Sequence, residues 1–277
     1  MVRVRYSFSS RRTRHTKKIK KQRAKFPALA LEIVQRSDII LEVLDSRFIA
    51  DTRNLELEEL IKKQGKQIIF VLNKSDLIEK LNELEIADLD LYVSVSCNNR
   101  NGIQILRNRI KIVAKKVEKT EDEKVTVGIL GYPNTGKSSL INLLIGKKSA
   151  GTGAEPGFTK GIQKLKLSPE IMLLDSPGVI PRKHYSSIRY KFIARHTKVG
   201  ARSYSKVKDP EMVIDYLVKE YPGKLEAHYQ VQTKGDSELL LEELGKKWNI
   251  LKKGGIVDTD KTARKVLKHW QTGEIKV

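Results

Sequence analysis

Short β-branched apolar runs recur through the first two thirds of the chain: IILEVLD at 39–45, KQIIFVLN at 66–73, DLYVSVS at 90–96 and KVTVGILG at 124–131. Runs of this length, bounded by polar and turn residues, predict buried strands. IQKLKLS and IMLLDSPG add two more strands, the second ending in an acid and a glycine. Between them the spacing turns helical. Pro27 suits a first helical turn, and Leu29, Ile33 and Val34 behind it fall on one face. ELEELIKKQG (56–65) predicts a helix closed by Gly65, Asn101-Gly102 opens a basic helix to about Val117, and SLINLLIG predicts an apolar helix. Strands alternating with helices predict a mostly parallel α/β sheet.

From Asp209 onward the strand signal fades. PEMVIDYLVKEYPG, SELLLEELGKKWNI and DTDKTARKVLKHWQTG predict three helices, with Asp258 or Thr259 capping the last. The first 25 residues are basic and poor in large apolar side chains, so a disordered or fraying segment is expected there. The expected organisation is a basic extension and first helix (1–37), an α/β domain (38–208) and a small C-terminal helical domain (209–277).

Composition adds limits. Apolar residues make up 39% of the 277, enough for a real core, and charged residues 31%, a fraction that fits a thermophile. No apolar run approaches the roughly 20 residues that span a bilayer, and no apolar leader stands at the N-terminus. Membrane contact is therefore not expected. Cys97 is the single cysteine, which excludes an internal disulfide and favours the cytoplasm.

Charge is concentrated. The net charge is +21; residues 1–37 carry +11 and residues 179–208 carry +9, leaving +1 for the rest. Two basic blocks on a near-neutral body point to a polyanion, against the plainer reading of a solvated tail and loop. The second block interleaves Tyr185, Tyr190, Phe192 and Tyr204 with Arg182, Lys183, Arg189, Lys191, Arg195, Lys198 and Arg202. Cations can hold phosphates and aromatics can stack on bases, which is a pattern for RNA. Core packing is the other use of the aromatics, and is the one expected of Phe192.

The candidate chemistry begins at GYPNTGKSS (131–139). It has the P-loop form Gly131, four residues, Gly136-Lys137-Ser138, between a strand and a helix. Such a loop turns backbone N–H groups toward phosphate, and the helix N-terminus adds a positive dipole end. Lys137 would reach the β- and γ-phosphates and Ser138 would bind Mg²⁺, with Asn134, Thr135 and Ser139 completing the loop. DSPG (175–178) follows the strand IMLLD, so Asp175 can hold Mg²⁺ and Gly178 can contact the γ-phosphate. Between them lies EPGFTKG, whose Thr159 could close over the metal.

Asn73-Lys74-Ser75-Asp76 has the form NKxD. On its own the match carries little, but it ends a buried strand. Asp76 can accept two hydrogen bonds from guanine, a pattern adenine cannot supply. Asn73 and Lys74 would brace the loop and cover the base. Some twenty residues on, Ser96-Cys97-Asn98 has the form of a second base-contacting box.

These five boxes stand in the order 4-5-1-2-3. That resembles the circularly permuted GTPases of the YlqF/YawG type, the ribosome-assembly GTPases related to nucleostemin. EVLDSRFIADTRN (42–54) is similar to the family's acidic-Arg segment, and KKGGIVDTDKTARKVLKHWQTGEI to its C-terminal end. The resemblance implies a P-loop GTPase fold, GTP/GDP and Mg²⁺ as ligands, GTP hydrolysis, and a role in maturing the large ribosomal subunit through its rRNA. A monomer is expected. VEKTEDEK (117–124) would be the join of the permutation. The cut would fall after DSPG, so the γ-phosphate sensor runs straight into the basic block, and nucleotide state is expected to re-aim it.

Lys137, Thr159 and Gly178 are the candidate catalytic residues. Val179 stands where Ras-like enzymes carry a water-orienting Gln, so low intrinsic turnover is expected, rising on a ribosomal partner. His15, Gln22 and His184 are the alternatives nearby, none singled out. Asn134 either ligands K⁺ beside the phosphates, as in potassium-activated GTPases, or tightens the loop.

Overall fold

The structure, a computed structural model, describes residues 28–120, 123–146, 162–175 and 190–276, without the side chains of 190–192. The N-terminal extension with His15 and Gln22, the Thr159 loop, and Gly178, Val179 and His184 lie outside the described residues.

Six strands form one sheet: β1 (Ile39–Asp45), β2 (Gln67–Asn73), β3 (Tyr92–Ser94), β4 (Val125–Gly131), β5 (Gln163–Lys166) and β6 (Ile171–Asp175). Their order is β3-β2-β1-β4-β6-β5, parallel except for β5, which runs antiparallel to β6. The mostly parallel sheet is therefore as the periodicity implies. Both faces of β1 and β2 are covered: every position of β1 is buried, and every position of β2 but Gln67.

Alternation assigns the faces. Ile39, Leu41 and Val43 of β1 pack against α5 (Ile103–Ala114) and α6 (Lys137–Ile145). Ile40 and Leu44 point the other way, into a core built by α1 (28–36), α2 (Ile49–Thr52) and α3 (Leu55–Lys63). The sequence places Leu29, Ile33 and Val34 on the inner face of α1; Ile33 and Val34 are fully buried and Leu29 half-buried, with Ala30 completing the stripe. The basic helix α5 uses Arg107 to cap its neighbour: the guanidinium donates to Leu143 O at 2.7 Å and Leu144 O at 2.8 Å, two terminal carbonyls of α6. A short helix α4 (Glu83–Ile86) precedes β3.

A third layer follows: α7 (Tyr190–Lys198), α8 (Pro210–Glu220), α9 (Lys224–Tyr229), α10 (Ser237–Lys247) and α11 (Thr259–Thr272). The three helices read from the sequence correspond to α8, α10 and α11. α9 is an addition; only Leu225 and Tyr229 of its six residues are buried, too few to set a period. Asp258 caps α11, accepting from Lys261 N at 3.2 Å. The stripe Thr262, Ala263, Val266, Leu267, Trp270 turns α11 inward at helical spacing. This core draws in Ala194 of α7 together with Phe48 and Tyr132 from the α/β layer. Phe48 stacks on Trp270 with ring centroids 6.1 Å apart. No described helix is long and apolar enough to cross a membrane.

Candidate nucleotide site

In open α/β sheets the ligand crevice lies beyond the carboxyl ends of the strands. Here those ends carry Asp45, Asn73, Gly131 and Asp175. The parallel register sets Asp45 beside Asn73, Val43 beside Gly131, and Ile129 beside Asp175. A chain order that puts β1–β3 before β4 thus still brings the NKxD and P-loop segments to one edge.

Asn73 joins three boxes with one side chain. Its Nδ2 donates to Thr135 O at 2.7 Å, in the P-loop, and its Oδ1 accepts from Cys97 N at 3.3 Å. Gly136 makes that approach possible: it has φ +96°, and a Cβ there would lie 2.2 Å from Asn73 Nδ2. Asp76 accepts from Ser96 Oγ at 2.7 Å and faces Asn98 Nδ2 at 3.5 Å. Its carboxylate is thereby aimed by the Ser96–Asn98 segment. The Cys97 thiol is pushed up to about 11 by burial and serves as a neutral packing group. Asn73, Lys74, Asp76, Cys97, Asn98, Gly136 and Ser139 line one cleft of about 470 Å³.

Lys74 is held in a left-handed conformation, φ 64°, a strained choice for a side chain with a Cβ. Its ammonium bonds Asp45 Oδ2 at 2.6 Å. Asp45 is fully buried and also takes Arg47, through the backbone N–H at 3.1 Å, Nε at 3.0 Å and Nη2 at 2.8 Å. Burial raises this carboxyl, but Lys74 and Arg47 outweigh it and hold it well below the usual carboxylate range. This clamp was not legible as such; its only sequence signal is an acid ending an apolar strand with Arg two residues on.

In the P-loop, Lys137 opens α6 and is buried. Its Nζ donates to Gly131 O at 3.0 Å and Tyr132 O at 2.8 Å. Burial lowers it to about 8, against the charge of Asp175, which raises it. Thr135 is fully buried and donates to Tyr132 O at 2.9 Å. The N-terminus of α6 has no side-chain cap, so its first N–H groups are not taken by a capping side chain. An uncapped helix start, a buried lysine, the Ser138 hydroxyl and the buried Asp175 carboxylate form a donor set that fits a phosphate chain and a hard cation. Among the described residues no group of three or more His, Cys, Asp or Glu side chains is arranged to hold a metal ion by itself.

Asn134, φ 62°, donates Nδ2 to Gly200 O at 2.7 Å, which ties the P-loop to the turn after α7. Two cations read from the sequence as RNA contacts are ion-paired within the protein. Lys198 is buried and paired with Asp51 and with Glu220 at 2.9 Å, and Arg195 pairs with Asp51 at 2.7 Å. Tyr204 packs half-buried on the helical core. Lys198 and Arg195 tie α7 to α2 through Asp51, and burial takes Lys198 out of reach of RNA, which corrects its reading as an RNA contact; Arg182, Lys183 and Arg189 lie outside the described residues.

A family model described as 50S ribosome-binding GTPase matches residues 126–234. An uncharacterized GTP-binding protein of Methanocaldococcus jannaschii is 39% identical over 249 residues, 88% of this chain and 64% of that protein. Nucleolar GTP-binding protein 2 of Saccharomyces cerevisiae is 32% identical over 260 residues, 88% of this chain and 51% of that protein. The chain thus spans between about half and two thirds of these relatives' lengths. Among solved structures, GDP-bound YlqF has a TM-score of 0.62 at 21% identity, covering 88% of this chain and 93% of that one. GNP-bound YlqF from T. maritima has a TM-score of 0.61 at 20% identity, covering 88% and 91%.

Proposed function

We propose that the chain is a circularly permuted P-loop GTPase of the YlqF and nucleolar GTP-binding protein 2 kind, and that it binds and hydrolyses GTP as a switch in large ribosomal subunit assembly. The observation that carries the nucleotide half is Asn73, whose one amide bonds the P-loop and the second base box together. Asp76, steadied by Ser96 and Asn98, supplies the acceptor pair for guanine N1–H and N2–H₂. Lys137 leaves its two carbonyl partners for the phosphate chain, whose charge favours the protonated lysine. Ser138 and Asp175, with Thr159 outside the described residues, would hold Mg²⁺, which neutralises phosphate charge when bound. Gly178 would donate to the γ-phosphate.

The ribosomal half rests on family likeness and on the two basic blocks of the sequence, +11 and +9. rRNA of the large subunit is the proposed partner. Val179 in the water-orienting position supports slow turnover by the isolated protein, accelerated on the subunit. K⁺ beside Asn134 would add charge at the phosphates, with the amide oxygen Oδ1, the only side-chain atom able to ligand a cation, as its ligand.

Two measurements test this. Calorimetry should show GDP bound and ADP not, and Asp76→Asn should weaken GDP at least about a hundredfold while gaining xanthosine diphosphate, whose 2-oxo group accepts where guanine donates. Turnover of GTP, with and without large subunits and in K⁺ or Na⁺ at matched ionic strength, should rise with subunits. A rate indifferent to subunits would instead favour an RNA-binding placeholder gated by GTP.

A further inference from the structure

The last turn of α11 stands at the cleft of the NKxD loop. Thr272, exposed, lines the cleft beside Asp76, Leu77 and Asn98. The next residue, Gly273, has φ +84° and sits so close to the loop that a Cβ there would lie 2.5 Å from Leu77 Cδ1. Neither contact is a chance brush of a free end, because the turn is held from three sides. Arg47 donates Nη1 to Trp270 O at 3.0 Å. The Trp270 indole donates to Lys198 O at 3.1 Å. Gln271 donates Nε2 to Thr197 O at 2.6 Å and to Arg202 O at 2.9 Å. Arg47 is also the partner of Asp45, which grips Lys74. One buried carboxylate therefore orients both the base-box lysine and, through Arg47, the end of α11.

We propose that the C-terminal turn of α11 is a wall of the guanosine pocket, with Thr272 a nucleotide contact and Arg47 and Gly273 positioning residues, so that seating of the helical layer sets guanine-nucleotide affinity. This rests on the guanine reading of Asp76. The linkage is reciprocal: a nucleotide that touches the turn must steady it, and a partner that pulls α11 away must weaken nucleotide binding. The helical layer is thus coupled to the base as well as to the phosphates.

The test uses the full chain and GDP. Thr272→Glu places a negative charge at the rim beside Asp76 on an exposed position, where folding tolerates it. It should raise the GDP Kd at least about fivefold at low salt, with the defect shrinking at high salt. Gly273→Val drives the turn off Leu77 and should raise Kd further. Hydrogen exchange supplies a readout that needs no variant: adding GDP to the wild-type chain should slow exchange at residues 268–275. The inference is overturned if the wild type binds GDP while exchange there is unchanged and Thr272→Glu binds as the wild type does. A wild-type chain that binds no guanine nucleotide overturns the guanine reading and this inference together.

Discussion

Replacing Asp45 by Asn removes one charge and almost no volume. Asp45 is fully buried, and the Arg47 side chain is 1% exposed, so the variant strands a guanidinium that cannot reach water. Lys74, with its side chain 23% exposed, can turn outward and suffers less. Breaking a buried pair from one side costs about 3–5 kcal/mol, mostly from the uncompensated charge. For a chain of this size about 2–4 °C accompanies each kcal/mol, so thermal melts at pH 7 should drop by roughly 6–20 °C. The pH dependence gives a second check. Asp45 titrates lower in the folded chain than in the unfolded one, so its contribution is whole above the unfolded value and fades as pH falls below it. The gap between wild type and variant in urea melts should therefore narrow by about 1 kcal/mol between pH 6 and pH 3. A drop under about 1 kcal/mol at pH 7, or a gap that does not change in acid, would refute the clamp as an energetic element.

Lys137→Met should abolish GDP binding yet raise the melting temperature of the nucleotide-free protein. Burial lowers Lys137 to about 8, so from there up to the ordinary lysine value of 10.5 the unfolded chain holds a proton that the folded chain releases, and stability rises with pH. Melts from pH 7.5 to 10 should show that rise in the wild type and not in the variant. Glu42, buried inside β1, is raised well above the usual glutamate range by burial and then by the Glu58 charge, against the Asn54 N–H at 2.9 Å. Its contribution is whole below pH 4.5 and falls as pH rises toward the folded value, so Glu42→Gln should gain on the wild type between pH 4.5 and 7.5. An equal difference at both pH values would sink that reading.

What was legible in the chain follows from the range of each interaction. Strand spans and faces come from alternation within seven residues, as in IILEVLD, where every position is buried. The P-loop and NKxD boxes are local backbone shapes at strand ends, and the structure brings Asn73, Thr135, Gly136 and Cys97 together. Glu42 shows the limit of the pattern: a carboxyl inside an apolar strand is buried and bonded to Asn54 N, twelve residues away. Charge was the poorest guide. Lys198 and Arg195 count toward a basic block in the sequence, yet pair with Asp51 from the opposite layer.

The sequence by itself determined the strands, the order of the boxes and the residue types at the strand ends, since each depends on neighbours a few positions apart. Only the tertiary structure decided how the helical layer is fastened to them. Arg47 meets Trp270 O across 223 positions, and Asn134 meets Gly200 O across 66. Such contacts are hydrogen bonds to backbone carbonyls, which every residue carries. No residue pattern can mark a carbonyl as a partner until the fold has carried it into reach.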